Sequence, residues 1–349
     1  MTRRHALPAA AVAAPDRMGE PDERDPSTTT VDLETNAVSG PIPVARRAGI
    51  GETGIEAHPL ALGTSAFGRR LGTAAGAAIL DRFVALGGTL VDAADGAADG
   101  VGETVIGEWV RSRGAHDRIG VVAAIGRQPD GVGLAPASIA RSVDASLMRL
   151  GVDRIDVLCL RDDHPEVPLE ERLGAVHALV AAGKVRTVGA SDLTPERLIE
   201  ARVLAANGLP RFQVMTARYN LLERRGFEGA TELVAHAQGI PVLAHTALAH
   251  GFLGGAVRRR SDLRREPGGD PRARHLGRRG LRVLRALDEV ALAHGTVPAA
   301  VAIAWLLGRP NVVAPVAAVS RPEQVDALLA AASVELHRSE IVELDRASA

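Results

Sequence analysis

The chain has 349 residues, 46% of them hydrophobic, enough for a sizeable core, and its formal net charge of -1 offers no electrostatic basis for binding nucleic acid or an anionic membrane. No apolar run approaches the roughly 18 residues that a membrane span needs. Aromatics are only 2%, so Ala, Val and Leu must build the interior, and the single cysteine, Cys159, excludes an internal disulfide.

Residues 1–44 are rich in Ala, Pro, Asp and Thr without a sustained period, which predicts a disordered tail. Arg3-Arg4 ahead of an alanine-rich stretch imitates an export signal only in outline, because the apolar part is short and broken by Pro8; a cytoplasmic location is expected. Residues 45–349 read as one domain. It opens with a small hairpin over 47–54 and 55–62 that leads into a first strand, Leu60-Ala-Leu-Gly-Thr64.

Strand-like and helix-like segments then alternate. Short apolar runs fall near 89–93, 119–125, 154–160, 185–190, 211–216, 240–244 and 312–317. Between them lie amphipathic stretches over 74–86, 139–150, 169–182, 196–206, 228–238, 281–294 and 323–332, one that begins near Glu103, and another that starts at Pro298 and ends near Leu307. Continuous apolar strands joined by helices mean a parallel sheet covered on both faces. The expected fold class is α/β, a (β/α)8 TIM barrel with an N-terminal hairpin. An open doubly wound sheet would put a Gly-x-Gly-x-x-Gly turn after the first strand, and Gly63-Thr-Ser-Ala-Phe-Gly68 does not supply it.

Residues 254–280 break the rhythm, with arginines on both sides of Pro267-Gly-Gly-Asp-Pro271. A long, basic, flexible loop is expected after the seventh barrel strand. It reads equally as a solvated insertion or as a lid over a phosphate-bearing ligand. Asp162, Asp163 and His164 are adjacent on one loop and lack the convergence a metal needs, so no metal site is expected.

Asp92 closes the apolar run Thr89 to Val91 and precedes a Gly-rich loop, which is where a parallel barrel carries its chemistry. Tyr219 is the only tyrosine and Lys184 the only lysine. Any mechanism that needs a phenol acidified by a neighbouring ammonium must use these two or go without.

The stretch Asp92-Ala-Ala-Asp-Gly-Ala97 with Gly102-Glu103, the run Ser146-Leu-Met-Arg-Leu-Gly-Val-Asp-Arg-Ile-Asp156, Gly183-Lys-Val-Arg-Thr-Val-Gly-Ala-Ser191 and Ser320-Arg-Pro-Glu-Gln324 come in the order of the aldo-keto reductases. The chain resembles that family from about residue 46 to 346. The resemblance implies an NADP(H)-dependent carbonyl oxidoreductase whose alkoxide product is protonated by a Tyr paired with Lys and Asp, beside a carbonyl-orienting His. At the matching positions stand Asp92, Ala97 for the Tyr, Ala124 for the Lys and Arg161 for the His. The resemblance places cofactor contacts at Gly63, Thr64, Ser191, Asp192, Thr216, His245, Leu248, Ser320, Arg321 and Gln324.

Asp92 and Arg161 are the catalytic candidates, and their side chains are expected to meet at about 3 Å. Three functions stay open: an NADP(H) oxidoreductase with an altered proton relay, a non-redox acid–base enzyme that reuses the cavity, and a silent binding barrel, a pseudoenzyme. The expected partner is a small carbonyl or acidic ligand.

Overall fold

The computed structural model describes residues 48–93, 100–126, 134–161, 167–265 and 269–349. The expected tail over 1–44 lies outside them. Two short strands, β1 (Ala48–Gly49) and β2 (Glu56–Ala57), pair antiparallel as the expected hairpin. The alternation that follows is β3 (Ala61–Gly63), α1 (Thr73–Ala85), β4 (Leu90–Asp92), α2 (Val101–Arg113), β5 (Gly120–Ile125) and α3 (Pro136–Leu150). It continues with β6 (Ile155–Arg161), α4 (Leu169–Ala181), β7 (Val185–Ser191), α5 (Pro195–Ala206), β8 (Val214–Arg218), α6 (Ala230–Ala237) and β9 (Val242–His245). After an insertion come α7 (Arg278–Ala293), α8 (Pro298–Leu307), β10 (Val312–Ala317), α9 (Glu323–Ala330) and α10 (Arg338–Ser348).

Strands β3 to β10 run parallel and close on themselves in the order β10-β3-β4-β5-β6-β7-β8-β9, which is the expected (β/α)8 barrel. Local chemistry sets the element ends. Pro195 and Pro298 start their helices, where a missing N–H costs nothing, and Thr194 caps α5 by accepting the Arg197 N–H. Among the described residues, no single helix is long and apolar enough to cross a membrane.

The barrel interior is filled by small aliphatic side chains: Ala61, Leu90, Val122, Val157, Cys159, Val214, Leu243, Ala314 and Val316. Ile50, Ile55 and Ala57 of the hairpin join this cluster. The hairpin thus plugs the N-terminal end and leaves the C-terminal end as the mouth. The helices pack outside. Gly107 lets α2 approach α3 so closely that a Cβ there would lie 2.1 Å from the Arg149 carbonyl oxygen. Beside it, buried Glu103 accepts from Arg149 at 2.6 Å, so the helix entry after Asp92 is structural.

The insertion after β9 is more organised than its composition suggests. Its described residues form short 3-10 turns over Arg260–Asp262 and Pro271–His275. Its arginines are largely spent on structure: Arg258 pairs with Asp288 at 2.7 Å, Arg272 with Asp270 at 2.5 Å and Arg274 with Glu223 at 3.0 Å.

Candidate active site

Side chains alternate in and out along a strand. Leu90, Val122, Val157, Cys159, Val214 and Leu243 point into the barrel. The same parity turns Asp92, Ala124, Arg161, Thr216, Arg218 and His245 inward, toward the C-terminal mouth. Ladder register sets Arg161 beside Ser191 and Ser191 beside Thr216, with Arg218 beside His245. Four neighbouring strand ends thereby bring Arg161, Ser191, Arg218 and His245 to one arc of the rim.

Asp92 is buried at 9% exposure, and its main-chain oxygen accepts from both the N–H and the hydroxyl of Thr64. The expected bond between Asp92 and Arg161 is absent among the described residues. Asp92 stands in register with Val122, and Val122 with Val157. Arg161 lies four residues farther along β6, about 13 Å of strand, a stagger that strand tilt reduces without cancelling. Both charges nonetheless reach the interior. Burial raises the Cys159 thiol well above its usual range, the Asp92 charge adds to this, and the Arg161 charge opposes it. Asp92 is not without a partner. The Arg161 guanidinium makes no hydrogen bond or ion pair with any described residue; its stem packs on Gly126, where a Cβ would meet the Arg161 Cβ at 2.9 Å.

The only phenol and ammonium of the chain are committed away from the mouth. Tyr219 is fully buried between Phe227 and Trp305, with ring centroids at 4.9 and 5.5 Å, and its hydroxyl donates to Glu228 at 2.8 Å. Burial and then Glu228 push its pKa upward, away from use as an acid near neutrality. Lys184 pairs with Asp144 at 2.6 Å, in the turn that feeds β7 at the opposite end of the barrel. Ala124 stands on β5 where the resemblance asks for a lysine; Ala97 lies outside the described residues, as do Asp162, Asp163 and His164.

Two residues read separately in the sequence prove to be one unit. His245 Nε2 lies 3.0 Å from both carboxylate oxygens of Asp192, and the Arg218 N–H donates to Asp192 Oδ1 at 2.9 Å. Burial opposes ionisation of Asp192, but the hydrogen bond and charge of His245, with the Arg218 N–H and guanidinium, outweigh it and hold the carboxyl below its ordinary range. The backbone here is strained: Asp192 (φ 53°) and the β-branched Thr246 (φ 56°) are left-handed without being glycine, as are Ala249 (φ 48°) and His250 (φ 58°). Sequence spacing could not show this pair, because 53 residues separate its members and only barrel closure joins them.

The remaining cofactor candidates divide. Gly63 sits against Val316 and Ala318, Thr64, Ser191 and Thr216 are buried, and Leu248 is 9% exposed. At the start of α9, Gln324 Oε1 accepts from Ser320 N, Ser320 Oγ and Arg321 N at 2.8, 3.0 and 3.1 Å. Those donors are consumed as a cap. The Arg321 side chain is exposed and unpaired among the described residues, so a phosphate could still be met there. A nicotinamide carboxamide, with its donor and its acceptor, fits poorly at the other end. Asp192 offers acceptors only, so it has no donor for the carboxamide oxygen, and its oxygens already meet the Arg218 N–H and the His245 ring.

Comparison with known sequences agrees with this barrel. The Aldo/keto reductase family model matches residues 59–349. The chain is 31% identical to norsolorinic acid reductase stcV of Emericella nidulans, over 84% of this chain and 78% of that protein. It is 27% identical to the Schizosaccharomyces pombe aldo-keto reductase yakc, whose name carries NADP(+), over 77% and 81%. It is 25% identical to Protein tas of Escherichia coli over 85% and 95%.

Proposed function

The chain belongs to the aldo/keto reductase family, and from that premise we propose that it has set aside the family's phenol-and-ammonium proton delivery and uses its mouth for a small carbonyl or carboxylate compound without hydride transfer. The observation that carries this reading is the placement of Tyr219 and Lys184, each engaged outside the mouth, while an inward Arg161 keeps its guanidinium uncommitted among the described residues. A guanidinium holds a carboxylate or a polarised carbonyl oxygen through paired N–H donors. Asp92 and Arg161 act here as separate groups of one cavity, Asp92 deeper and Arg161 at the rim.

No step is derived through a nicotinamide, because the Asp192–His245 end does not suit its carboxamide. A second reading, an NADP(H)-dependent oxidoreductase with an altered proton relay, is favoured by the exposed Arg321 at the start of α9 and by the NADP(+) in the name of one relative. Calorimetric titration separates the two. Pyruvate, 2-oxobutyrate and 2-oxoglutarate should bind the wild-type protein and bind Arg161→Ala at least about tenfold more weakly, the loss of one charge-assisted contact. Equal affinity for both proteins would remove Arg161 from the site. Saturable NADPH binding without any response to the oxo acids would favour the second reading.

A further inference from the structure

We propose that Asp192 and His245 form an acid–base dyad at the barrel mouth that exchanges the α-proton of a bound 2-oxo acid. His245 is the catalytic residue and Asp192 the positioning residue. The inference rests on the reading of the mouth as a carbonyl–carboxylate cavity, and it assigns the chemistry to groups other than Asp92.

Three independent observations converge on the pair. The first is hydrogen bonding. His245 Nε2 faces both Asp192 oxygens at 3.0 Å. An ionised carboxylate accepts only, so Nε2 carries the proton that faces it, and in the neutral ring the lone pair is then on Nδ1. Nδ1 makes no hydrogen bond with any described residue, and the side chain keeps 18% of its exposure. A base so oriented is anchored on one side by the carboxylate and has no described hydrogen-bond partner on the other. The second is position. Inward parity at the end of β9 turns His245 to the mouth, and Arg161 lies on the same arc of strand ends. The charge that bears on Asp192 besides His245 is Arg218 from β8, and Asp192, Asp92 and Arg161 all act on the Cys159 thiol in the barrel. The third is backbone strain. Asp192 and Thr246, the residues that set the two partners, are both left-handed. Such strain persists only where the surrounding structure enforces it, and it gathers at functional sites.

The chemistry closes without an oxidant. Arg161 holds the carboxylate or the keto oxygen of the acid. His245 Nδ1 takes a proton from the carbon next to the ketone, the C–H electron pair becomes the carbon–carbon π bond, and the keto oxygen takes up the enolate charge beside a guanidinium. Return of a proton from the imidazolium regenerates the ketone, and in deuterated water the returning nucleus is a deuteron.

The test is proton NMR of pyruvate, 2-oxobutyrate and 2-oxoglutarate in deuterated water with the full chain. Wild-type protein should speed loss of the α-hydrogen signal of at least one acid above the buffer rate. His245→Gln should lower that acceleration by about 10²–10⁴-fold, the usual contribution of a general base. Asp192→Asn should lower kcat for exchange with little change in KM. It should also move the His245 ring-nitrogen shifts away from a single Nε2–H tautomer, which a merely structural role would not do. Binding of the oxo acids without exchange above buffer, or full exchange by His245→Gln, overturns the dyad and leaves the cavity reading standing. Failure of all three acids to bind overturns both.

Discussion

His275 shows how single side chains in the insertion are set by their surroundings. Its ring packs against Phe252 at 5.5 Å and accepts from Arg274 Nε at 3.1 Å. Burial, and then the Arg274 charge, lower its pKa to about 4, against roughly 6.5 for a free histidine. Between those values the unfolded chain binds the extra proton, so stability rises with pH there. The contribution is whole above the free value and is lost as pH falls toward the folded one. His275→Gln should shrink the difference in urea midpoint between pH 7.5 and pH 4.5; an unchanged difference would put the acid sensitivity elsewhere. Much at this level was legible only in part. Asp192 and His245 were each singled out from the resemblance as cofactor contacts. Their union was not, since nothing in either local sequence reports a partner on another strand. Asp92 and Arg161 failed as a pair for a related reason, the stagger of β4 against β6.

The contact between α2 and α3 depends on Gly107. The helices meet there with no room for a side chain, because the nearest obstacles are the main-chain oxygens of Arg149 and Leu150, which cannot swing aside. Gly107→Ala gains helix propensity but must part the helices, and a net loss of about 1–3 kcal/mol is expected from overpacking. Chemical denaturation checks it; a variant as stable as wild type would mean the helices separate at no cost. The elements are nearly all legible, because β5 and β10 are unbroken apolar runs, β6 and β7 are apolar runs interrupted at Asp156 and at Arg186-Thr187, and the helices between them carry Pro at their starts or Gly at their ends. The insertion was foreseen as a basic stretch but not as a structured one. Composition counts the arginines of 254–280 and is blind to Asp288 and Glu223, the carboxylates outside the stretch that bind them.

At the level of the whole barrel, the fold follows from pattern, whereas the chemistry depends on which few residues occupy the strand ends. Alternating strands and helices leave little choice but closure, and the hairpin residues Ile50 and Ile55 decide which end stays open. The same scaffold then carries Ala124 and Arg161 where the resemblance expects Lys and His, and a His–Asp pair at two positions where it expects cofactor contacts. The central claim is that no phenol and ammonium act together at this mouth. Its most direct test is the rate of NADPH oxidation by the purified protein over a panel of simple aldehydes, with Tyr219→Phe beside the wild type. The account predicts turnover no better than about 10⁻²–10⁻⁴ of an intact relative, the share that proton donation supplies, and no difference between the two proteins. Rapid reduction by the wild type, lost in Tyr219→Phe, would contradict it.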